Sequence, residues 1–123
     1  MYFTAINSKL NIMKCFIELW KEKESWKNLS QQERGDYMNQ LGPHIQNLMT
    51  GGAEIVCWGA NTKSTDKRAD YDFFAVWKFP NQNMVEQFEK LVEGSGWYNY
   101  FVQVNLSGEA TSPDEIIGQL ITM

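Results

Sequence analysis

Within CFIELWK, residues 15–21, Glu18 is the one carboxylate in a run of large apolar side chains. Apolar surroundings without a neighbouring cation raise a carboxylate's pKa, because desolvation opposes the charged form. Such a group can act as a general base, hold a ligand's donor or cation, or tie strands together. Glu18 is the candidate catalytic residue. Few other groups could do chemistry. Arg34 reads as an anion contact at a cavity mouth, or as half of a salt bridge to Glu33, Asp36 or a partner subunit. His44, the one histidine, follows Gly42-Pro43, a placement more typical of surface or capping residues than of catalysts. Cys15 and Cys57 form no CxxC or Cys/His cluster, so no zinc site is visible, and they read as small buried hydrophobes. No P-loop, GxSxG, HExxH or EF-hand pattern occurs, and no cofactor is expected.

The elements that would position Glu18 follow from periodicity. Residues 15–20 alternate and predict a strand, followed by a polar linker, KEKESWKNL. SQQE, Ser30 to Glu33, is a capping box that starts a helix over about 31–50. Its apolar stripe is Tyr37, Met38, Leu41, Ile45, Leu48 and Met49, with a kink or restart expected at Gly42-Pro43 and an end at Gly51-Gly52. Residues 53–61 and 71–79 predict two more strands, joined by a polar loop that reads as a solvated hairpin connection or a mobile cover. A second helix carries Met84, Val85, Phe88 and Leu91 and closes at Gly94. A fourth strand is expected over about 97–106. Ser112 and Pro113 open a C-terminal helix over 112–123, while residues 1–13 read as an extra strand or an arm. Trp26 and Trp97 read as packing anchors.

The order β-α-β-β-α-β predicts a single α+β domain with the ferredoxin-like fold. Its four-stranded antiparallel sheet carries both helices on one face, with strands one and three central. The two-residue period divides the strands into two sets. Cys15, Ile17, Leu19, Ile55, Cys57, Phe74, Val76, Val102 and Val104 form a compact, mostly aliphatic set, expected beneath the helices. Phe16, Glu18, Trp20, Val56, Trp58, Tyr71, Phe73, Ala75, Trp77, Phe101, Gln103 and Asn105 form an aromatic set studded with polar groups, expected to face away. An aromatic face this large invites association, so a homodimer through it is expected, enclosing a ligand cavity between two sheets. The residues expected to bind ligand are Phe16, Trp20, Trp58, Tyr71, Phe73, Trp77, Phe101, Gln103, Asn105 and Arg34.

This order and the aromatic second face resemble the dimeric α+β barrel superfamily. Its members include small cofactor-independent monooxygenases, muconolactone-isomerase-like and YCII-like proteins, and chlorite-dismutase relatives. FIELW, W-x-x-L-S-x-x-E-R (Trp26 to Arg34) and GWYNYF-x-QVN (Gly96 to Asn105) resemble an uncharacterised bacterial family within it. The resemblance covers about residues 13–108, leaving the first thirteen residues and the C-terminal helix outside. It implies a dimeric barrel and no particular reaction. The cavity histidine of many members has no counterpart here, which argues against haem.

Composition narrows the partners. The net charge of −4 and only two arginines argue against nucleic acid. No run approaches membrane-spanning length and no signal peptide is visible, so a cytoplasmic, reduced protein without a membrane partner is expected. Aromatic residues make up 14% of the chain, in keeping with a pocket or interface. The leading reading is a homodimer that binds a small aromatic or apolar molecule. One alternative is a cofactor-independent oxygenase or isomerase with Glu18 as base; another is an interaction module with no ligand.

Overall fold

The computed structural model describes residues 13–123. The expectation for the N-terminal arm or strand lies almost wholly outside that range. Strand β1 (Lys14–Glu22) leads through a single-turn helix, α1 (Glu24–Lys27), to the long helix α2 (Gln31–Thr50). Strands β2 (Glu54–Ala60) and β3 (Phe73–Phe79) follow, then helix α3 (Gln82–Gly94), a single turn α4 (Trp97–Tyr100), strand β4 (Phe101–Glu109) and helix α5 (Pro113–Ile121). The sheet order is β2-β3-β1-β4, with every neighbouring pair antiparallel. This is a ferredoxin-like α+β fold, and the two central strands are the expected ones.

Local chemistry explains the boundaries. Ser30 and Glu33 form a reciprocal capping box at the start of α2, satisfying two otherwise orphaned amides. Asn81 caps α3 by accepting from the Met84 amide at 2.9 Å, and Ser112 caps α5, whose first residue is Pro113. Helix α2 runs through Gly42-Pro43 without the expected restart, ending where Gly52 takes a positive φ. The linker after β1 is not wholly irregular, since α1 forms within it. Residues 97–100, expected in the fourth strand, form α4, and Gly96 enters that turn with a left-handed backbone.

The layering reverses the expectation. Phe16, Glu18 and Trp20 of β1, Ala75, Trp77 and Phe79 of β3, and Phe101 of β4 are buried in one cluster with Leu48, Val85 and Phe88 of the helices. The aromatic set lies under the helices. The aliphatic set is the open face: Val102, Val104 and Leu106 are exposed, and Cys15, Ile17, Leu19 and Val76 are half-buried. Cys57 on this face is exposed, so the two cysteines are not buried hydrophobes. The cause is area. Each Phe or Trp buries about 150–250 Å², so covering the aromatic set removes more apolar surface from water than covering the aliphatic one. A dimer joined through the aromatic face, with a cavity between two sheets, is therefore excluded, because the chain's own helices occupy that space. A bulge between Ile55 and Cys57 adds a further departure. Ile55 pairs with Trp77 and so joins the helix-facing side, while Cys57 pairs with Val76 on the open face. On the open face Gly59 leaves room for the Phe74 ring, whose Cζ would lie 2.5 Å from an added Cβ.

Candidate functional site

Glu18 stands at the middle of β1, opposite Ala75 on β3 and Asn105 on β4. The small Ala75 side chain leaves space beside the carboxyl group, and the diagonal neighbours supply its partners. Trp77 Nε1 donates to Glu18 Oε1 at 2.8 Å, and Gln103 Nε2 donates to Glu18 Oε2 at 2.8 Å. Gln103 is itself oriented from behind. Trp97 Nε1, which can only donate, gives its hydrogen bond to Gln103 Oε1 at 2.8 Å, so the amide NH₂ must point toward Glu18. That NH₂ also donates to Asn105 Oδ1 at 2.9 Å. The result is a polar chain, Trp97–Gln103–Glu18–Trp77, set into an aromatic core. Among the described residues no buried side-chain nitrogen or oxygen lacks a partner.

Only 5% of Glu18 is exposed. Burial pushes its carboxyl pKa above the ordinary value, and the bonds from Trp77 and Gln103 pull it partly back. None of the ion pairs among the described residues includes Glu18; Lys14, the cation on its face, is taken by Glu109 at 2.8 Å.

Glu18 borders a cavity of about 50 Å³ between the sheet and the helices, walled by Trp20, Trp58, Trp77 and Trp97 and roofed by Leu41, Ile45, Phe88, Leu91 and Val92. A wider recess of about 370 Å³ shares Trp20, Leu41, Ile45, Trp58 and Trp97 with it, and adds Trp26, Met38, Phe73 and Phe101. Trp20 holds the aromatic wall together. It stacks on Phe73 at 5.8 Å and meets Trp58 and Trp97 edge-on at 5.6 and 5.8 Å. Trp58, on the edge strand, is 48% exposed and stands at the mouth.

The structure thus brings together Glu18, Trp20, Trp58 and Trp77 around the inner cavity, Phe73 and Phe101 around the outer recess, and Gln103 behind the carboxylate. Four other candidates lie elsewhere. Phe16 packs solidly on Phe79 and Phe88. Tyr71 precedes β3 rather than joining it, and its ring lies beneath Lys21 Nζ at 5.3 Å. Asn105 is exposed and touches the network only through Gln103. Arg34 makes no salt bridge among the described residues: its guanidinium donates to the Trp26 and Lys27 carbonyls at 3.1 and 2.7 Å, closing the C-terminal end of α1. The polar loop is internally tied, with Asn61 and Arg68 donating to the carbonyls of Thr62, Ala69 and Tyr71. His44 is exposed on α2.

The residues missed by sequence reasoning are the helix-borne walls, chiefly Leu41, Ile45 and Leu91, together with Trp97. The helical stripes had marked the first three as core; what they lacked was the identity of the sheet face beneath them. Trp97 had been read as an anchor in a strand, and its placement on α4 turns its indole toward Gln103. Among the described residues no group of His, Cys, Asp or Glu side chains is arranged to hold a metal, and no helix is long and apolar enough to cross a membrane.

Comparison with known proteins places the chain in a family. A model of a family of unknown function, DUF6616, matches residues 13–123, and the chain belongs to that family. The match extends through α5, so the C-terminal helix lies within the family's span rather than outside it. No curated protein matches the chain. Among solved structures, the chain is similar to a DABB family protein with a ferredoxin-like fold from Mesorhizobium loti. The identity is 12%, the match covers 77% of this chain and 95% of that one, and the TM-score is 0.41.

Proposed function

We propose that this protein binds a small, mainly apolar molecule in the aromatic cavity between its sheet and helices, with Glu18 as the polar contact, and that it works as a homodimer. The observation that carries the binding reading is a buried carboxylate, each oxygen of which accepts one hydrogen bond from a neutral donor, bordering empty space walled by indoles. Concave apolar sites with a few oriented polar groups are the usual form of small-molecule sites. A purely structural carboxylate would more economically be packed against side chains than set beside a cavity. Titration with 1-naphthol, followed by tryptophan fluorescence, tests this. Saturable binding is expected in the wild type and is lost in Ile45→Trp, where the new indole fills the cavity. Absence of saturable binding to the wild type, or equal binding to both, overturns the reading.

Base catalysis by Glu18 is the second reading, favoured by its raised pKa. A carboxylate whose pKa is brought toward neutrality by burial is a stronger base than an exposed one. Oxygen consumption or isomerisation in a substrate screen would distinguish turnover from binding alone.

The dimer reading rests on the open sheet face. Val102, Val104 and Leu106 are exposed there beside Ile17, Leu19 and Val76, an apolar patch of the kind that monomers seldom leave in water. Helix α5 likewise presents Ile116, Ile117, Leu120 and Ile121 to solvent. A second copy packed sheet to sheet would cover the patch isologously.

A further inference from the structure

We infer that the ligand is an organic cation, a hydrophobic amine or quaternary ammonium, whose charged head sits against Glu18 inside the indole cage. This rests on the pocket reading above and names its ligand class. Three observations converge on it. The first is the polarity of the hydrogen-bond chain. Trp77 Nε1 and Gln103 Nε2 both donate to Glu18, and the Gln103 amide cannot turn over without setting its NH₂ against the Trp97 indole N–H. Every partner of Glu18 is therefore a fixed donor, an arrangement that supports the charged carboxylate and not a carboxylic acid offering its own proton. The second is the missing counter-charge. The described cations nearest in role are committed elsewhere, Lys14 to Glu109 and Lys21 to Asp70, and no ion pair among the described residues reaches Glu18. In a desolvated site with neutral donors alone the charged carboxylate is incompletely compensated, and a bound cation would complete it.

The third observation is the wall. Trp20, Trp58, Trp77 and Trp97 surround the same small space that Glu18 borders. Indole is the best of the side-chain rings for attracting a cation over its face, and cages of such rings recognise alkylated ammonium groups. A strongly hydrated inorganic cation would find few oxygen ligands here, whereas an alkylammonium loses little hydration on entering. The wider recess lined by Phe73, Phe101 and Met38 would take the apolar remainder of the molecule.

The test compares benzyltrimethylammonium with neopentylbenzene, its neutral carbon isostere, by calorimetric titration of the full-length protein in the same cosolvent. The cation is expected to bind at least about tenfold more tightly than the isostere. Glu18→Gln should cut that ratio to less than about threefold while the neutral probe keeps its affinity. Trp58→Leu, at the exposed mouth and making none of the hydrogen bonds of the chain, should lower the ratio in a protein that still folds. If the isostere binds as well as the cation, the cation inference falls and the pocket reading stands. If neither probe nor 1-naphthol binds, both fall.

Discussion

Replacing Glu18 by Gln probes the hydrogen-bond chain directly. Desolvation alone argues that the neutral amide should be the better buried group. The geometry reverses that expectation. A glutamine side chain at position 18 can accept from Trp77 through its oxygen, but its NH₂ then faces the Gln103 NH₂. Gln103 cannot rotate to relieve the clash, because its oxygen receives the Trp97 indole N–H. Both oxygens of the wild-type carboxylate carry lone pairs, whereas an amide nitrogen has none to offer, so the wild type is spared this conflict. At least one buried donor is thus left unsatisfied, at a cost of about 1–3 kcal/mol. Gln103→Glu alone sets two carboxylates side by side and should also destabilise. The double variant Glu18→Gln/Gln103→Glu restores the donor–acceptor order between Trp97, position 103, position 18 and Trp77. Trp77 then donates to the new amide oxygen at position 18, and the new NH₂ donates to the carboxylate introduced at position 103. That carboxylate's other oxygen still accepts from Trp97. A double-mutant cycle should therefore show favourable coupling of about 1–3 kcal/mol. The pH dependence has a definite sign. Burial raises the folded pKa of Glu18 above its unfolded value, so its contribution is fully present below the unfolded value and is lost as pH rises through the folded one. Between those two values wild-type stability falls by about 1.4 kcal/mol per pH unit on this account, a slope that Glu18→Gln lacks. The deficit of Glu18→Gln should thus be largest below the unfolded value and narrow as pH rises through the folded one. Urea denaturation across that range reads both effects. If Glu18→Gln matches or exceeds the wild type below the unfolded value and the double variant recovers nothing, the donor argument is wrong.

Two further outcomes are expected. Val104→Lys places a charge in mid-strand on β4, within the apolar patch of the open sheet face, where the side chain is 43% exposed in the single chain. The fold should survive while sedimentation shifts from twice 14.3 kDa to the single-chain mass, and a wild type already monomeric at micromolar concentration would refute the dimer. Ser30→Ala removes the oxygen that accepts from the Glu33 amide and should cost about 0.5–2 kcal/mol in urea denaturation, with no change in fluorescence of the tryptophan cage.

Element order was legible because each boundary carries its own chemistry. Ser30, Asn81 and Ser112 are capping residues whose effect is local, so their helices start where a reader of the chain would place them. The errors of extent arose where tertiary packing overrides local pattern. Residues 97–100 are mostly aromatic, as strands often are, yet Gly96 allows a left-handed turn that sends Trp97 into the core as a helical turn. Arg34 was ambiguous for a different reason. Its partners are backbone carbonyls of a four-residue helix, and carbonyls are invisible to any argument built on side-chain charge.

The site itself was half legible. Alternation correctly grouped Glu18, Trp20, Trp77 and Gln103 on one side of the sheet, because the two-residue period needs no knowledge of what lies above. It could not say which side the helices cover, since both sides are apolar and their difference is one of size and polarity. Polar residues among aromatics were weighed as a sign of exposure. That weighting fails when the polar groups satisfy one another, as Glu18, Gln103, Trp77 and Trp97 do, because a fully bonded network loses little on burial while the surrounding aromatic area gains much. The indole N–H is decisive here. Each of the two tryptophans brings a large apolar surface that favours burial and a single donor that must be satisfied once buried. Trp77 spends its donor on Glu18 and Trp97 on Gln103, so the aromatic residues that pull this face under the helices also supply what the carboxylate needs to follow them. The same residues leave the Glu18 carboxyl group bordering the cavity, and on this combination rests our proposal that the space beside it takes a ligand of opposite charge.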